Sequence, residues 1–397
     1  MNEIQNTPEL RFEGFTEPWE QQKLRDIAES YSGGTPTSGN TEYYGGDIPF
    51  IRSAEISSDT TELSISRKGY ESSAARMVKP GDVLYALYGA TSGEVAISKM
   101  SGAINQAILA ILPSPMCDAF FLAAWLRRQK DEIVATYLQG GQGNLSATIV
   151  KGLDVPVPVI EEQRCIGTLF SRLDSLIALY QRKYERLQHM KQALLLKMFP
   201  KPGEQVPELR FDGFTEPWKE YRLGDLGEVA MCKRIYKDQT SDSGDVPFFK
   251  IGTFGGKPDA YISNELFEEY RSKFPFPDAG DVLISAAGTI GRTVVYNGER
   301  AYYQDSNIVW LKHGDEINNL FFLQFLKVKD WKNLEGSTLK RLYNKDILET
   351  PIALPETAEQ NAVGSFFRDI DSLITLHQRK YERLKRLKQA LLRKMFV

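Results

Sequence analysis

Four neighbouring residues in the second half of the chain have the side chains that a DNA-binding surface needs. Lys233, Arg234 and Lys237 carry positive charge, and Tyr236 lies among them. Basic side chains neutralise phosphates, and these contacts supply much of the affinity of proteins for DNA. We therefore predict that this group, the 233–237 cluster, contacts DNA. The alternative is a solvated surface patch.

Other basic and polar residues have side chains that can read bases. Arginine can donate two hydrogen bonds to guanine, and asparagine or glutamine can pair in the same way with adenine. For any one candidate, a plain surface charge or a turn residue is an equally good explanation. The candidates in the second half are Lys250, Arg292, Lys340 and Arg341, and those in the first half are Thr35, Ser38, Asn40, Arg52, Arg67, Lys68, Gln106, Gln142 and Asn144.

The sequence contains no motif of a catalytic or cofactor-binding site. A GxxxxGK[ST] phosphate loop is absent, and no predicted strand is followed by G-x-G-x-x-G. No Asn-Pro pair occurs, although a methyltransferase acting on a flipped base would need such a motif. The three cysteines and three histidines are scattered, which argues against a metal site. We expect no catalytic residue, cofactor or metal in this chain.

Composition places the chain among soluble globular proteins with several domains. It has 397 residues, of which 42% are hydrophobic and 25% charged, and its net charge is −3. This charge alone would not suggest nucleic acid, so DNA affinity would depend on local basic patches. The sequence has no long apolar run and no secretory leader at its start. With widely spaced cysteines, this predicts a cytoplasmic protein without a membrane segment.

An internal repeat with a period near 198 residues organises the chain. PELRFEGFTEPW at 8–19 returns with one substitution at 207–218, and the block at 162–199 returns at 359–396. The stretches between these blocks match far less well, although Gln106 falls opposite Gln304. We predict two divergent domains of one fold on two nearly identical connectors.

Each connector is predicted to be a long helix with a coiled-coil seam, because apolar or long side chains recur in steps of four and three. The alternative is that each helix packs on its own domain. The duplicated seam favours mutual pairing, and repeated exposed positions such as 182–186 and 379–383 favour a partner bound twice. The seam residues are Leu169, Leu173, Leu176, Tyr180, Lys183, Leu187, Met190 and Leu194 in the first copy, and Phe366, Ile370, Leu373, His377, Lys380, Leu384, Leu387 and Leu391 in the second.

Connectivity predicts that the two helices run antiparallel. The second domain must begin soon after the first helix ends and must return to start the second helix. The simplest closure puts the start of the second helix beside the end of the first. By the same symmetry, residues 8–19 should pack near the C-terminal residues 395–397.

The divergent stretches are predicted to be mixed α/β domains, so the fold class is α+β with a pseudo-twofold internal repeat. We divide the chain into 1–158, 159–200, 201–355 and 356–397, with the connectors as the second and fourth segments. The predicted strands are 48–51, 83–87, 107–112, 246–251, 282–284 and 308–311, and the predicted helices are 120–137 and 320–326.

These repeated features resemble the specificity subunits of type I restriction–modification systems. The resemblance rests on the duplicated PELRFxGF…W blocks and on the helices that begin EQ-x-x-I/V-G-x-x-F. The segments 33–51, 140–146, 232–256 and 302–311 also look like parts of the target-recognition domains of that family. The resemblance to this family covers nearly the whole chain.

The resemblance implies a division of labour among subunits. Each target-recognition domain would read one half of a bipartite, asymmetric site in double-stranded DNA, and the paired helices would set the spacer. Two methyltransferase (M) subunits would dock on this chain, and restriction (R) subunits would join them. S-adenosylmethionine, ATP and Mg would act in those partners. Two rival functions remain open, a self-contained DNA modification enzyme and a coiled-coil adaptor without DNA specificity.

Overall fold

The computed structural model describes residues 7–137, 144–331 and 341–397. The chain forms two compact units. The first consists of Met1–Gln181 and Arg379–Val397, and the second of Arg182–Gln378. Each long helix therefore contributes one half to each unit. Two sequence candidates, Gln142 and Lys340, lie outside the described residues.

The first unit has a mixed α/β domain. Its strands form one sheet of order β2-β9-β6-β7, another of order β4-β3-β8-β5, and a pair of β1 with β10. The strands are β1 (Glu20–Lys23), β2 (Ala28–Ser32), β3 (Tyr44–Ile51), β4 (Ser64–Ile65), β5 (Arg76–Val78), β6 (Val83–Ala86), β7 (Val95–Ile97), β8 (Gly102–Ile104), β9 (Ile108–Pro113) and β10 (Asp154–Val157). The helices are α1 (Leu24–Ile27), α2 (Arg67–Glu71), α3 (Ala119–Tyr137), α4 (Ala147–Lys151) and the first half of α5 (Ile160–Met198).

The second unit repeats this topology, except that its second sheet has three strands in the described residues where the first unit has four. Its sheets have the orders β12-β18-β15-β16 and β14-β13-β17, and β11 pairs with β19. The strands are β11 (Lys219–Arg222), β12 (Gly227–Ala230), β13 (Val246–Phe249), β14 (Tyr261–Ile262), β15 (Val282–Ser285), β16 (Thr293–Val295), β17 (Tyr302–Tyr303), β18 (Ile308–His313) and β19 (Pro351–Leu354). The helices are α6 (Leu223–Leu226), α7 (Asn264–Lys273), α8 (Asn319–Val328), α9 (Asn344–Leu348) and the first half of α10 (Thr357–Lys394).

Burial explains why the central strands were recognisable from sequence. β6 is buried at all of its positions, and so are the first four residues of β9. Strands buried on both faces give continuous apolar runs instead of alternation. The predicted strands and the two predicted domain helices are confirmed. The helix α7 and the short edge strands were missed, because their few residues carry little periodic signal.

Within each unit the long helices pair antiparallel, as predicted. In the first unit, the start of α5 lies beside the end of α10, with the Phe170 and Phe396 ring centroids 5.7 Å apart. In the second unit, the end of α5 lies beside the start of α10, where Lys191 Nζ is 2.6 Å from Asp371 Oδ1. Two antiparallel helices meet in this way at both of their ends.

The duplicated segments also pack as predicted. The main-chain N–H of Leu10 donates to the carbonyl of Lys394 (2.8 Å), and Trp19 packs edge-on against Phe396. The second copy behaves in the same way, since the N–H of Leu209 donates to the carbonyl of Lys197 (2.8 Å). Residues 8–19 therefore lie against the C-terminal end of α10 in the first unit.

The predicted seam was wrong by one residue at alternate positions. Leu176 and Met190 are each 41% exposed, and their counterparts Leu373 and Leu387 are 45% and 46% exposed. Lys183 and Lys380, also assigned to the seam, are exposed too. The inward positions are one residue later, at 177, 184 and 191 in α5, and the same shift occurs in α10. Hydrophobicity could not separate these positions, because an ion pair places Lys191 inside while Met190 stays outside.

Candidate nucleic-acid interface

Loops of the second unit converge on one turn, residues Gln304–Asn307, which we call the 304–307 turn. The N–H of Gln304 donates to the carbonyl of Phe249 (2.9 Å), and its Oε1 accepts from the N–H of Ile251 (2.8 Å). Among the described residues, Ser306 is the one non-glycine residue with a positive φ, at +52°. Strained backbone conformations of this kind are uncommon, and the residues that adopt them are often found at functional sites. The turn is therefore fixed to β13 on one side and strained at its tip.

Two arginine side chains contact this turn. Arg234 Nε donates to Asp305 Oδ2 at 2.9 Å, and Arg341 Nη2 donates to the carbonyl of Ser306 at 2.7 Å. The backbone of Arg341 also forms an antiparallel bridge with Ala287. A guanidinium has five N–H donors, so one such contact orients the group without saturating it. Residues far apart in sequence thus bring two guanidinium groups to one turn.

Lys250 and Arg292 lie on adjoining loops. Lys250 follows β13 directly, and its Nζ is 2.9 Å from Asp259 Oδ1. The main chain of Arg292 pairs with Ser285 at the start of the β15–β16 hairpin. A Cβ placed on Gly255 would lie 3.2 Å from Arg292 Nη2, which shows that the loop after β13 reaches this arginine. The predicted residues 234, 250, 292 and 341 therefore belong to one group of loops.

The rest of the 233–237 cluster extends away from the turn. The Nζ of Lys233 lies 5.0 Å from the ring centroid of Phe274, which is a cation–π distance. Tyr236 is 58% exposed, and Lys237 begins a short 3-10 turn that ends at Gln239. Of the cluster, Arg234 contacts the 304–307 turn, and contact of the other three residues with DNA stays a prediction.

The first unit makes the same contacts with different side chains. Thr35 Oγ1 donates to Gln106 Oε1 at 2.6 Å, between the loop after β2 and the loop after β8. Asn144 forms an antiparallel bridge with Tyr88. All three predicted residues are exposed. Thr35, Gln106 and Asn144 were predicted separately, and the fold brings them into two related contacts.

Strand register shows which positions correspond. Ala28 begins the pairing of β2 with β9, and Gly227 begins the equivalent pairing of β12 with β18, so Ala28 and Gly227 correspond. Seven residues after each of them, Thr35 corresponds to Arg234. The next residue after β3 is Arg52, and the next after β13 is Lys250. The matched pairs are Thr35 with Arg234, Arg52 with Lys250, Gln106 with Asp305, and Asn144 with Arg341.

The sequence alignment of Gln106 with Gln304 was wrong. Ile51 pairs with Ile104, whereas Phe249 pairs with Tyr303, so the residue equivalent to Gln304 is Asn105. A constant period misses this, because the offset between the copies varies along the domain, from 199 residues at Gln106 and Asp305 to 197 at Asn144 and Arg341. Gln106 takes the place of Asp305 instead.

Several predicted basic residues of the first unit are bound to carboxylates. Arg52 contacts Glu55 (3.0 Å) and Glu62 (2.5 Å), and these hydrogen bonds raise the pKa of Arg52. Arg67 and Glu71 form an ion pair one helical turn apart (2.9 Å). Such contacts explain these positions without a ligand, although exposed pairs of this kind are weak.

Two other candidates hold the loop between β2 and β3. Lys68 forms an ion pair with Glu42, whose pKa is lowered by the hydrogen bond from this lysine. Asn40 Oδ1 accepts from the N–H of Glu42 (3.1 Å) and caps the 3-10 turn that follows. Ser38 is exposed in the same loop. These residues shape the loop, and their contact with DNA stays a prediction.

One exposed aromatic residue at this site was missed by sequence reasoning. Tyr343 is 62% exposed, two residues after Arg341, and its N–H donates to Asp346 Oδ2 at the start of α9. The signal was available, because Arg341 and Tyr343 repeat the basic–aromatic spacing of Arg234 and Tyr236. The two pairs belong to the same unit as the 304–307 turn.

Within the described residues there is no group of three or more His, Cys, Asp or Glu placed to hold a metal ion. Burial raises the pKa of the Cys117 and Cys232 thiols to about 12, so neither is ionised near neutral pH. No helix among the described residues has the length and apolar character to cross a membrane.

Comparison with known proteins places this geometry in a family. The family model for the type I restriction modification DNA specificity domain matches residues 16–189 and 215–386. A protein of Haemophilus influenzae named as a type I restriction enzyme specificity subunit, S.HindORF215P, is 51% identical over 156 residues, covering 39% of this chain and 40% of that protein. The type I restriction enzyme MjaIX specificity subunit of Methanocaldococcus jannaschii is 25% identical and covers 95% of this chain and 92% of the relative.

Solved structures agree on the fold. The type I restriction–modification S subunit from M. genitalium matches with a TM-score of 0.69 at 16% identity, covering 98% of this chain and 99% of that chain. A chain from a structure on complex assembly and conformational transition of the type I R-M system matches with a TM-score of 0.51 at 19% identity, covering 96% and 99%. The predicted fold class is confirmed.

Proposed function

Because the chain belongs to the type I restriction–modification DNA specificity family, we propose that it selects the DNA site at which such a complex acts. Each unit carries one target-recognition domain, and each domain reads one half of a bipartite, asymmetric site in double-stranded DNA. The antiparallel helices set the spacer between the halves. The chain supplies sequence recognition and performs no chemistry.

The observation that carries this proposal is one scaffold with two sets of side chains. In the first unit the loops after β2 and β8 are joined by Thr35 and Gln106, whereas in the second unit the loops after β12 and β17 are joined by an arginine and an aspartate. A structural contact alone needs no such difference. Two domains that recognise different DNA sequences need different side chains at equivalent positions, because each base pair presents its own pattern of donors and acceptors.

Exposed apolar side chains on the helices support docking of a partner at two equivalent places. Leu176 and Leu179 of α5 are 41% and 38% exposed, and their counterparts Leu373 and Leu376 of α10 are each 45% exposed. Exposed apolar groups that recur together mark interaction surfaces. We assign these positions to two methyltransferase subunits, which restriction subunits would join.

Catalysis then belongs to the partners. Methyl transfer from S-adenosylmethionine, and cleavage that uses ATP and Mg, would take place in the methyltransferase and restriction subunits.

Reconstitution tests this function. The purified chain is mixed with S-adenosylmethionine and a DNA library, with and without type I methyltransferase subunits from the same organism, and methylated sites are sequenced. We expect methylation of one bipartite motif when both proteins are present and none with either alone. Methylation by the chain alone would show an enzyme, and methylation that does not depend on sequence would show an adaptor.

A further inference from the structure

We propose that Arg341 reads a guanine in the half-site of the second unit, and that Asn144 reads an adenine at the corresponding place in the half-site of the first. This inference rests on the proposed function and goes beyond it, since it assigns a base to each domain. Its basis is the structural equivalence of these residues and the difference in their chemistry.

The equivalence follows from backbone contacts. Asn144 bridges Tyr88, and the next N–H, that of Leu145, donates to the carbonyl of Leu87 (2.9 Å). Arg341 bridges Ala287 in the same way, and the next N–H donates to the carbonyl of Ala286 (2.7 Å). A short helix, α4 or α9, begins three residues after the bridging residue in both units. The two side chains therefore leave the same point of the same scaffold.

Arg341 differs from the other arginine and lysine residues at matched positions, because its side chain contacts a carbonyl and not a carboxylate. Arg234 is held by Asp305, Lys250 by Asp259, and Arg52 by two glutamates. Among the described residues, Arg341 forms no ion pair, and its Nη2 donates to the carbonyl of Ser306. The charge of Arg341 is therefore not neutralised by an acidic partner in the described part of the chain. The hydrogen bond to Ser306 nevertheless fixes the orientation of its guanidinium group.

A guanidinium fixed at one nitrogen is suited to a bidentate contact. Arginine donates two parallel hydrogen bonds to O6 and N7 of guanine, and the side-chain amide of asparagine pairs with N6 and N7 of adenine. The strained turn at Ser306 supplies the carbonyl that orients Arg341. Orientation before binding reduces the side-chain entropy lost on binding.

Arg234 has a supporting role in this arrangement. Its contact with Asp305, which is only 16% exposed, uses the carboxylate to hold the guanidinium against the turn that carries Ser306. The pair therefore stabilises the turn next to Arg341. In the first unit Thr35 and Gln106 make the equivalent contact without charge.

The test uses Arg341→Gln in the complete complex with its methyltransferase subunits, with methylation of a randomised DNA library as the readout. We expect one position in one half-site to lose its guanine preference by on the order of ten- to a hundred-fold and to gain adenine, while the other half-site is unchanged. Asn144→Arg should change the other half-site from adenine to guanine. Lys273→Gln, which removes an exposed charge on α7, is the control and should leave both halves unchanged.

Arg341→Lys separates base reading from phosphate contact. Lysine keeps the charge but lacks the planar fork, so guanine preference should fall while overall methylation is retained. A uniform loss of methylation without a change of preferred base, in either variant, would assign Arg341 to a phosphate and overturn the inference. A bipartite motif without guanine in the affected half would overturn it as well, and the proposed function would stand. Absence of any motif would instead contradict the proposed function.

Discussion

The carboxylate of Asp371 joins three elements of the second unit, and its removal gives a prediction that can be worked through. Its Oδ1 lies 2.6 Å from Nζ of Lys191 on α5, and its Oδ2 lies 3.2 Å from Nζ of Lys327 on α8. Asp371 itself is on α10, so it links the helix pair to the recognition domain. The Lys191 side chain is only 10% exposed. Burial lowers the pKa of Lys191 to about 8, and the hydrogen bond to Asp371 acts in the opposite direction.

Replacement by Asp371→Asn removes the charge that keeps Lys191 protonated. A buried charge that loses its partner costs about 3 to 5 kcal/mol. Lys191 can instead release its proton at neutral pH, which limits the cost. At pH 7 this release limits the loss to the interval between the pKa of about 8 and pH 7, so at about 1.4 kcal/mol a unit the variant is destabilised by about 1 to 1.5 kcal/mol. Lys327 is more exposed, so its lost ion pair adds little.

The pH dependence of this loss is the decisive part. Between the folded pKa of Lys191 and the unfolded value of 10.5, the unfolded state binds more protons, so stability rises with pH. This rise begins near pH 8 in the unmodified protein and at lower pH in the variant. The deficit of the variant should therefore be largest below the lowered pKa of Lys191 in the variant, should shrink between that pKa and pH 8, and should be lost above pH 8.

Urea unfolding followed by circular dichroism at pH 7 and pH 9 measures this deficit. The double variant Lys191→Met, Asp371→Asn is the control, because it should lack the pH-dependent part. Asp174→Asn tests the equivalent site of the first unit, where Asp174 holds Lys388 and Arg127 and burial lowers the pKa of Lys388. A deficit of Asp371→Asn that is equal at both pH values would refute the reasoning.

Two further predictions concern the repeat. Trp218 Nε1 donates to Glu359 Oε2 (3.1 Å), whereas the buried Trp19 Nε1 has no hydrogen-bond partner among the described residues. Trp218→Phe should therefore cost about 1.5 to 3 kcal/mol more than Trp19→Phe in urea unfolding, and equal costs would refute the role of this bond. A four-residue insertion at the centre of both α5 and α10 lengthens each helix by about 6 Å. We expect the spacer of the methylated motif to grow by about one or two base pairs, and an unchanged spacer would contradict the proposed role of the helices.

The repeat, the helices and the main strands could be predicted from the sequence, because they depend on local patterns. The residues of the seam could not all be assigned from the sequence. Leu176 and Ile177, for example, are both apolar, and only the packing of the helices decides which of them faces inward. Two such steps later Lys191 is buried, whereas the preceding Met190 is exposed. The ion pair with Asp371 reverses the order that hydrophobicity predicts.

Residues of the candidate site could be named from the sequence, but their grouping could not. Thr35 meets Gln106, and Arg341 meets Ser306, through strands that pair at long range. In the sequence Arg52 looks like an unpaired basic residue, but the fold places the Glu62 carboxylate beside its guanidinium. The match of Asn144 with Arg341 needs the strand register, because the offset between the two copies changes along the domain.

Mapping of methylated bases across the genome, in cells with and without the gene for this chain, tests the central claim most directly. The account predicts that one asymmetric bipartite motif loses its methylation when the gene is removed and regains it when the gene is restored. Methylation that is unchanged in the absence of the chain would contradict its assignment as the sequence-reading subunit.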